Sequence, residues 1–242
     1  MEKWRGRYPM ERFGFEGRDA VIVFPERPDV KMRWVLKTEY FYAFQDLEEK
    51  LVEHGFHLAY LKNNNRWGTQ DDLAAKRRFA AMLHEKNGLY EKCVPVGMSC
   101  GGLHAIKQAA LFPEMVSLLY LDAPVVNLLS CPFGLGSLGT SIAESAKQEA
   151  LDALGLDMSG MIAYRDHPLD RLSRLTDSRI PALLVWGEAD TVVPFEENGR
   201  HVCSAYAKTD IPFMAQSKPG CDHHPHGPAD MAAAVDFILE YA

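Results

Sequence analysis

Short apolar runs alternate with longer amphipathic stretches along most of the chain. Arg12–Phe15 and Asp19–Phe24 alternate in the two-residue rhythm of strands, and the turn Glu16-Gly17-Arg18 joins them as a hairpin that Pro25 and Pro28 terminate. From Trp34, the positions Val35, Phe41, Phe44, Leu47 and Leu51 fit a 3.6-residue period, which predicts a helix stopped at Gly55. Phe56–Leu61 reads as a buried strand. Thr69 is placed to cap a helix over Gln70–Asn87, with Gly88 just beyond its end. Cys93–Met98, Met115–Leu121, Ala182–Trp186 and Ile211–Gln216 read as further strands, with helices over Gly101–Leu111 and Pro228–Tyr241. Strands alternating with helices of this length predict an α/β fold: a mainly parallel sheet flanked by helices.

The alternation lapses between about residues 124 and 176. That stretch opens on the glycine-rich Phe133–Gly139, continues in a helix over Thr140–Leu154, and closes with a short helix near Pro168–Leu175. An insertion there would lie over the carboxyl ends of the strands, where open α/β sheets bind ligands. The expected organisation is one domain over 1–242 with a small cap. Phe133, Leu135, Leu138, Met158, Met161 and Tyr164 are expected to pack the cap onto the sheet or line a pocket.

Composition narrows the function. The chain has 242 residues, 47% hydrophobic and 24% charged, with a net charge of −7. No cluster of lysine and arginine suits a nucleic-acid backbone, and no apolar run reaches the length of a membrane span. The charged, aromatic start Met1-Glu2-Lys3-Trp4-Arg5 is unlike a secretory leader. Five cysteines without a CxxC pair argue against a disulfide framework or a cysteine-rich zinc site. These features favour a cytoplasmic protein without nucleic-acid or membrane partners. A homo-oligomer is left open.

The strongest chemical signal is Gly97-Met98-Ser99-Cys100-Gly101-Gly102 between a strand and a helix. Such a turn lifts the middle serine off the sheet with its hydroxyl exposed. The helix beginning at once aims the Cys100 N–H, aided by the helix dipole, at a developing oxyanion. A serine nucleophile needs a base and an acid to orient it. Asp190, in Trp186-Gly187-Glu188-Ala189-Asp190, follows a buried strand and is the favoured acid, with Asp122 and Glu188 as rivals. Of nine histidines, the segment Pro219-Gly220-Cys221-Asp222-His223-His224-Pro225-His226 lies between the last strand and the last helix. His223 is the favoured base and His224 the runner-up. Three close histidines also suit a metal, but without cysteine partners or a helical i, i+4 spacing a metal-free, cofactor-free mechanism is expected.

The order Ser99, Asp190, His223 is that of the α/β-hydrolase fold. On these three motifs the whole chain resembles α/β-hydrolases of the bacterial serine esterase and lipase type. The last motif resembles the G-x-x-H-H-P-H signature of a small group associated with ester and carbohydrate-ester hydrolysis. Asp222 stands where that group usually has glycine, and Cys100 where arginine is common. Many relatives carry His-Gly after the strand matching Asp19–Phe24, to supply a second oxyanion donor. This chain has Pro25-Glu26-Arg27 instead, and Pro25 has no N–H, so the donor is expected from Glu26, which is favoured, from Arg27, or from a residue near the start of the Trp34 helix. The resemblance implies a carboxylesterase that forms an acyl-enzyme on a small-molecule ester, such as an acetylated carbohydrate or a small aromatic ester. A small cap favours acetyl to butyryl groups. An amidase or peptidase using the same triad, and a non-catalytic ligand-binding member of the fold, are the alternatives.

Overall fold

The computed structural model describes residues 2–242, which form a nine-stranded sheet in the order β1-β2-β3-β5-β4-β6-β7-β8-β9. Strands β1 (Glu2–Trp4), β2 (Tyr8–Phe15) and β3 (Arg18–Val23) are antiparallel, and β3 pairs antiparallel with β5 (His57–Leu61). From β5 onward, β4 (Trp34–Lys37), β6 (Val94–Met98), β7 (Leu119–Asp122), β8 (Ala182–Gly187) and β9 (Phe213–Lys218) are all parallel.

Period-two alternation divides the central strands between two cores. Ile22, Trp34, Leu36, Leu119, Leu121 and Leu184 face α2 (Gln70–Asn87), α3 (Cys100–Leu111), α6 (Leu172–Asp177) and α7 (Gly199–Tyr206). Val21, Val35, Val96, Tyr120, Leu183 and Val185 face α1 (Asp46–Glu53) and α8 (Met231–Tyr241). Both faces are covered, as parallel sheets require.

The stretch Trp34–Lys37 departs from the expected helix. It is the strand between β5 and β6, wholly buried, and only Asp46–Glu53 is helical. A short apolar run buried on both faces carries no period of its own, so the later apolar positions imposed a helical one. The helix expected from Thr140 begins at Ser145 as α4 (Ser145–Leu154). Thr140 Oγ1 donates to the Val192 carbonyl and Ser141 N–H to the Thr191 carbonyl, which ties this segment to the loop after β8.

Between β7 and β8 also lie α5 (Met158–Ala163) and a 3-10 turn at Pro168–Arg171. Leu172 and Leu175 of α6 join the main core. Val125, Leu128, Cys131, Phe133, Ala146, Ala150 and Met161 instead form a third cluster with Trp67, Cys100 and Leu103. This cluster sits at the start of α3, beside the carboxyl ends of the parallel strands. Among the described residues, no helix is long and apolar enough to cross a membrane.

Candidate active site

Ser99 occupies the turn between β6 and α3 with φ +54° and ψ −122°, a region that non-glycine residues rarely enter. The turn is held by Ser99 N–H donating to the Asp122 carbonyl at 2.9 Å and Val125 N–H to the Ser99 carbonyl at 3.0 Å. Close approach demands the flanking glycines. A Cβ on Gly97 would lie 2.5 Å from the Gly101 carbonyl oxygen, and one on Gly102 2.4 Å from Pro124 Cβ. The strain is thus held by packing on both sides, and Cys100 stands at the first helical position, where N–H groups have no intrahelical acceptor.

Because β8 and β9 are parallel neighbours, the loops that follow them leave at the same edge. Ala189 N–H donates to the Cys221 carbonyl, and one oxygen of Asp222 accepts from both Thr191 N–H (2.9 Å) and His223 N–H (2.8 Å). These two backbone donors hold the Asp222 carboxyl below its ordinary range. Asp222, the departure from glycine, staples the two loops together. The result is a relay. His223 Nδ1 lies 2.8 Å from Asp190 Oδ2, and His223 Nε2 lies 3.1 Å from Ser99 Oγ. The other Asp190 oxygen accepts from the N–H groups of Val192 and Val193 at 2.9 and 2.8 Å. Both the His223 and Asp190 side chains are buried.

The rival acids are engaged elsewhere. Asp122, at the end of β7, holds His226 Nδ1 at 3.0 Å and accepts from Gly227 N–H at 2.5 Å and the Tyr120 hydroxyl at 3.1 Å. This second His–Asp pair was not anticipated from sequence, although a carboxylate ending a central strand is its visible half. Glu188 is exposed and accepts from Ser217. His224 is half-stacked on Phe44, and burial, then the neighbouring His223 and His226, lower its pKa.

Glu26 requires correction as an oxyanion donor. Because β3 runs against β5, its end at Val23 pairs with Leu58, at the amino edge of the parallel strands. Glu26 therefore lies at the edge opposite Ser99, where its carboxylate pairs with Arg7 at 2.9 Å. The segment that does reach the serine turn follows β4. Thr38 Oγ1 donates to the Gly101 carbonyl at 2.7 Å, and Tyr40, with φ +53°, sets its hydroxyl between the Cys100 thiol and the Arg66 guanidinium. Burial pushes the Tyr40 hydroxyl far up and the Cys100 thiol up to about 11, so both stay protonated at neutral pH.

Ser99 opens into a cavity of about 320 Å³ lined by Tyr40, Ala43, Phe44, Arg66, Met98, Ile142, Val192 and the histidines 223, 224 and 226. Of the six apolar cap residues singled out from sequence, none lines it. Phe133 and Met161 are buried in the third cluster, while Leu135, Leu138 and Met158 are exposed and Tyr164 faces a different cleft. Tyr40 and Arg66 form the wall shared with a second groove of about 640 Å³, lined by Glu39, Asn63, Asn64, Asn65, Glu149 and Asp152 among others.

No protein-family model and no curated protein sequence matches the chain. Solved structures do match. A puromycin hydrolase superposes with a TM-score of 0.72 at 20% identity, over 95% of this chain and 38% of that one. A puromycin-hydrolyzing peptidase of Mycobacterium tuberculosis gives 0.70 at 17%, over 95% and 37%. TT1662 from Thermus thermophilus gives 0.66 at 15% identity, over 97% of this chain and 98% of that one. The chain thus spans under two fifths of the two puromycin-hydrolysing proteins and nearly all of TT1662. Its fold is the α/β-hydrolase fold.

Proposed function

We propose that the chain is a serine hydrolase that cleaves small carboxylic esters through an acyl-enzyme. The observation that carries this reading is the unbroken relay Asp190–His223–Ser99, with hydrogen-bond spacings of 2.8 and 3.1 Å. Ser99 Oγ attacks the ester carbonyl while His223 takes its proton, then returns it to the departing alcohol. His223 next activates a water that releases the acid. The Cys100 N–H and the Tyr40 hydroxyl serve as the oxyanion donors.

Apolar walls from Ala43, Phe44, Ile142 and Val192 around a 320 Å³ cavity suit a short acyl group, and the adjoining asparagine- and carboxylate-lined groove suits a hydroxyl-rich alcohol. Each buried methylene gains roughly 0.8 kcal/mol only while apolar wall remains to receive it. Peptide or amide cleavage is the second reading, favoured by the likeness to the puromycin-hydrolyzing peptidase. Against an aminopeptidase version, among the described residues the carboxylates Glu39, Glu149 and Asp152 line the adjoining groove and none lines the Ser99 cavity itself.

A serine-directed phosphonate should label Ser99, and Ser99→Ala should lose at least roughly a thousandfold in ester hydrolysis with its fold intact. In a panel of acyl lengths, kcat/KM should peak from acetyl to butyryl and fall by octanoyl. A rate that climbs through decanoyl, or faster cleavage of aminoacyl amides than of esters, would replace the proposed substrate.

A further inference from the structure

We propose that His223, His224 and His226 form a zinc-binding site at the mouth of the Ser99 cavity, through which zinc reversibly inhibits the enzyme. One donor nitrogen from each histidine lies within 4.8 Å of the other two. The three rings meet edge to face at centroid distances of 4.8 to 5.0 Å and angles of 62°, 80° and 85°, so none stacks flat on another.

Two of the three are already held as zinc ligands usually are. Asp190 holds His223 Nδ1 at 2.8 Å, and Asp122 holds His226 Nδ1 at 3.0 Å. A carboxylate on Nδ1 keeps the proton there and leaves Nε2 with its lone pair free for a metal, the carboxylate–histidine–zinc arrangement. Asp122 is itself fixed by Gly227 N–H and the Tyr120 hydroxyl, so the second pair is as rigidly built as the first. His224 is the exposed member and completes the set by rotation. Tetrahedral zinc at about 2.0–2.1 Å from each nitrogen needs donors roughly 3.4 Å apart, so the cluster, now within 4.8 Å, must draw closer on binding.

Inhibition follows from one atom. His223 Nε2 cannot ligate zinc and accept the Ser99 proton together. Zinc is thus expected to silence the relay without being needed for it. The inhibitory consequence rests on the serine-hydrolase reading above, whereas the binding does not.

Calorimetry with zinc chloride on the Ser99→Ala protein separates the two. One zinc per chain is expected, with no heat from magnesium chloride at the same concentration. His224→Gln, an exposed change that leaves both His–Asp pairs in place, should weaken zinc at least roughly tenfold, and His226→Gln likewise. In the wild type, zinc should slow phosphonate labelling of Ser99, and a chelator should restore it. Absent binding in both proteins, or binding of equal strength in His224→Gln, overturns the site even if Ser99 is labelled. Binding that leaves labelling unchanged overturns the inhibition. Binding to a protein whose Ser99 never reacts with the phosphonate overturns the hydrolase reading and leaves the metal site standing.

Discussion

Two buried aspartates, each ending or following a central strand, hold a histidine by Nδ1, and only one of those histidines reaches Ser99. The difference between them lies in what the other ring nitrogen faces. Asp190 also accepts two backbone N–H groups, so its carboxylate is fixed in place before any substrate arrives. Asp190→Asn is expected to lower kcat roughly ten-thousandfold, because the amide would present its N–H to His223 and favour the wrong tautomer. Asp122→Asn should keep kcat within about tenfold of wild type while lowering stability, since it disturbs two buried hydrogen bonds and one partly buried one. Ester hydrolysis by the two variants, measured beside thermal unfolding, checks this. The reverse pattern would move the acid role to Asp122.

At the scale of elements, β4 decides which residues reach the Ser99 turn. Its register with β6 puts Lys37 opposite Val96 and delivers Thr38–Tyr40 onto the turn around Gly101. The helical period read from Trp34 hid this strand, although the segment beginning there was one of the places left open for the donor, beside the favoured Glu26 and Arg27 at the opposite sheet edge. If the Tyr40 hydroxyl donates to the oxyanion, Tyr40→Phe should lower kcat by roughly a hundredfold with KM little changed, the usual effect of losing one such donor. A rise confined to KM would instead mean that Tyr40 only shapes the cavity.

Across the whole molecule, a buried polar chain links the Tyr40 segment to α3. Asn63 donates to the Thr38 carbonyl at 2.8 Å and also bonds Lys76, whose amine lies 3.3 Å from His104 Nδ1. Gly68 N–H donates to His104 Nε2 at 3.2 Å, and burial keeps His104 neutral. Burial also lowers the Lys76 ammonium to about 8. Between that value and the ordinary lysine range near 10.4, the unfolded chain holds a proton that the folded chain has released. Stability should therefore rise with pH across this window. Relative to Lys76→Met, the wild type should gain about 2 kcal/mol of unfolding free energy between pH 7.5 and 9.5. Paired urea titrations at both pH values measure it, and parallel curves would show that Lys76 stays charged when folded.

Local signals carried much of this protein. Glycine punctuation and period-two or period-3.6 patterns marked the helix Gln70–Asn87 to the residue, the hairpin closely, and most strands within a few residues. The turn Gly97–Gly102 was legible because its backbone geometry demands those residue types wherever they occur. Ser99, Asp190 and His223 come together because each follows a strand of one parallel sheet, the same order in which the sequence motifs lie. What tertiary structure alone decided were relations without a local signature. The burial of Trp34–Lys37 on both faces depends on neighbours far away in the chain. So does the side of the sheet at which Glu26 emerges, which follows from the antiparallel pairing of β3 with β5. The His226–Asp122 pair joins residues 104 positions apart, and no periodicity links them. Sequence patterns record what a residue requires of its immediate backbone, whereas strand order and direction determine which distant side chains share a cavity.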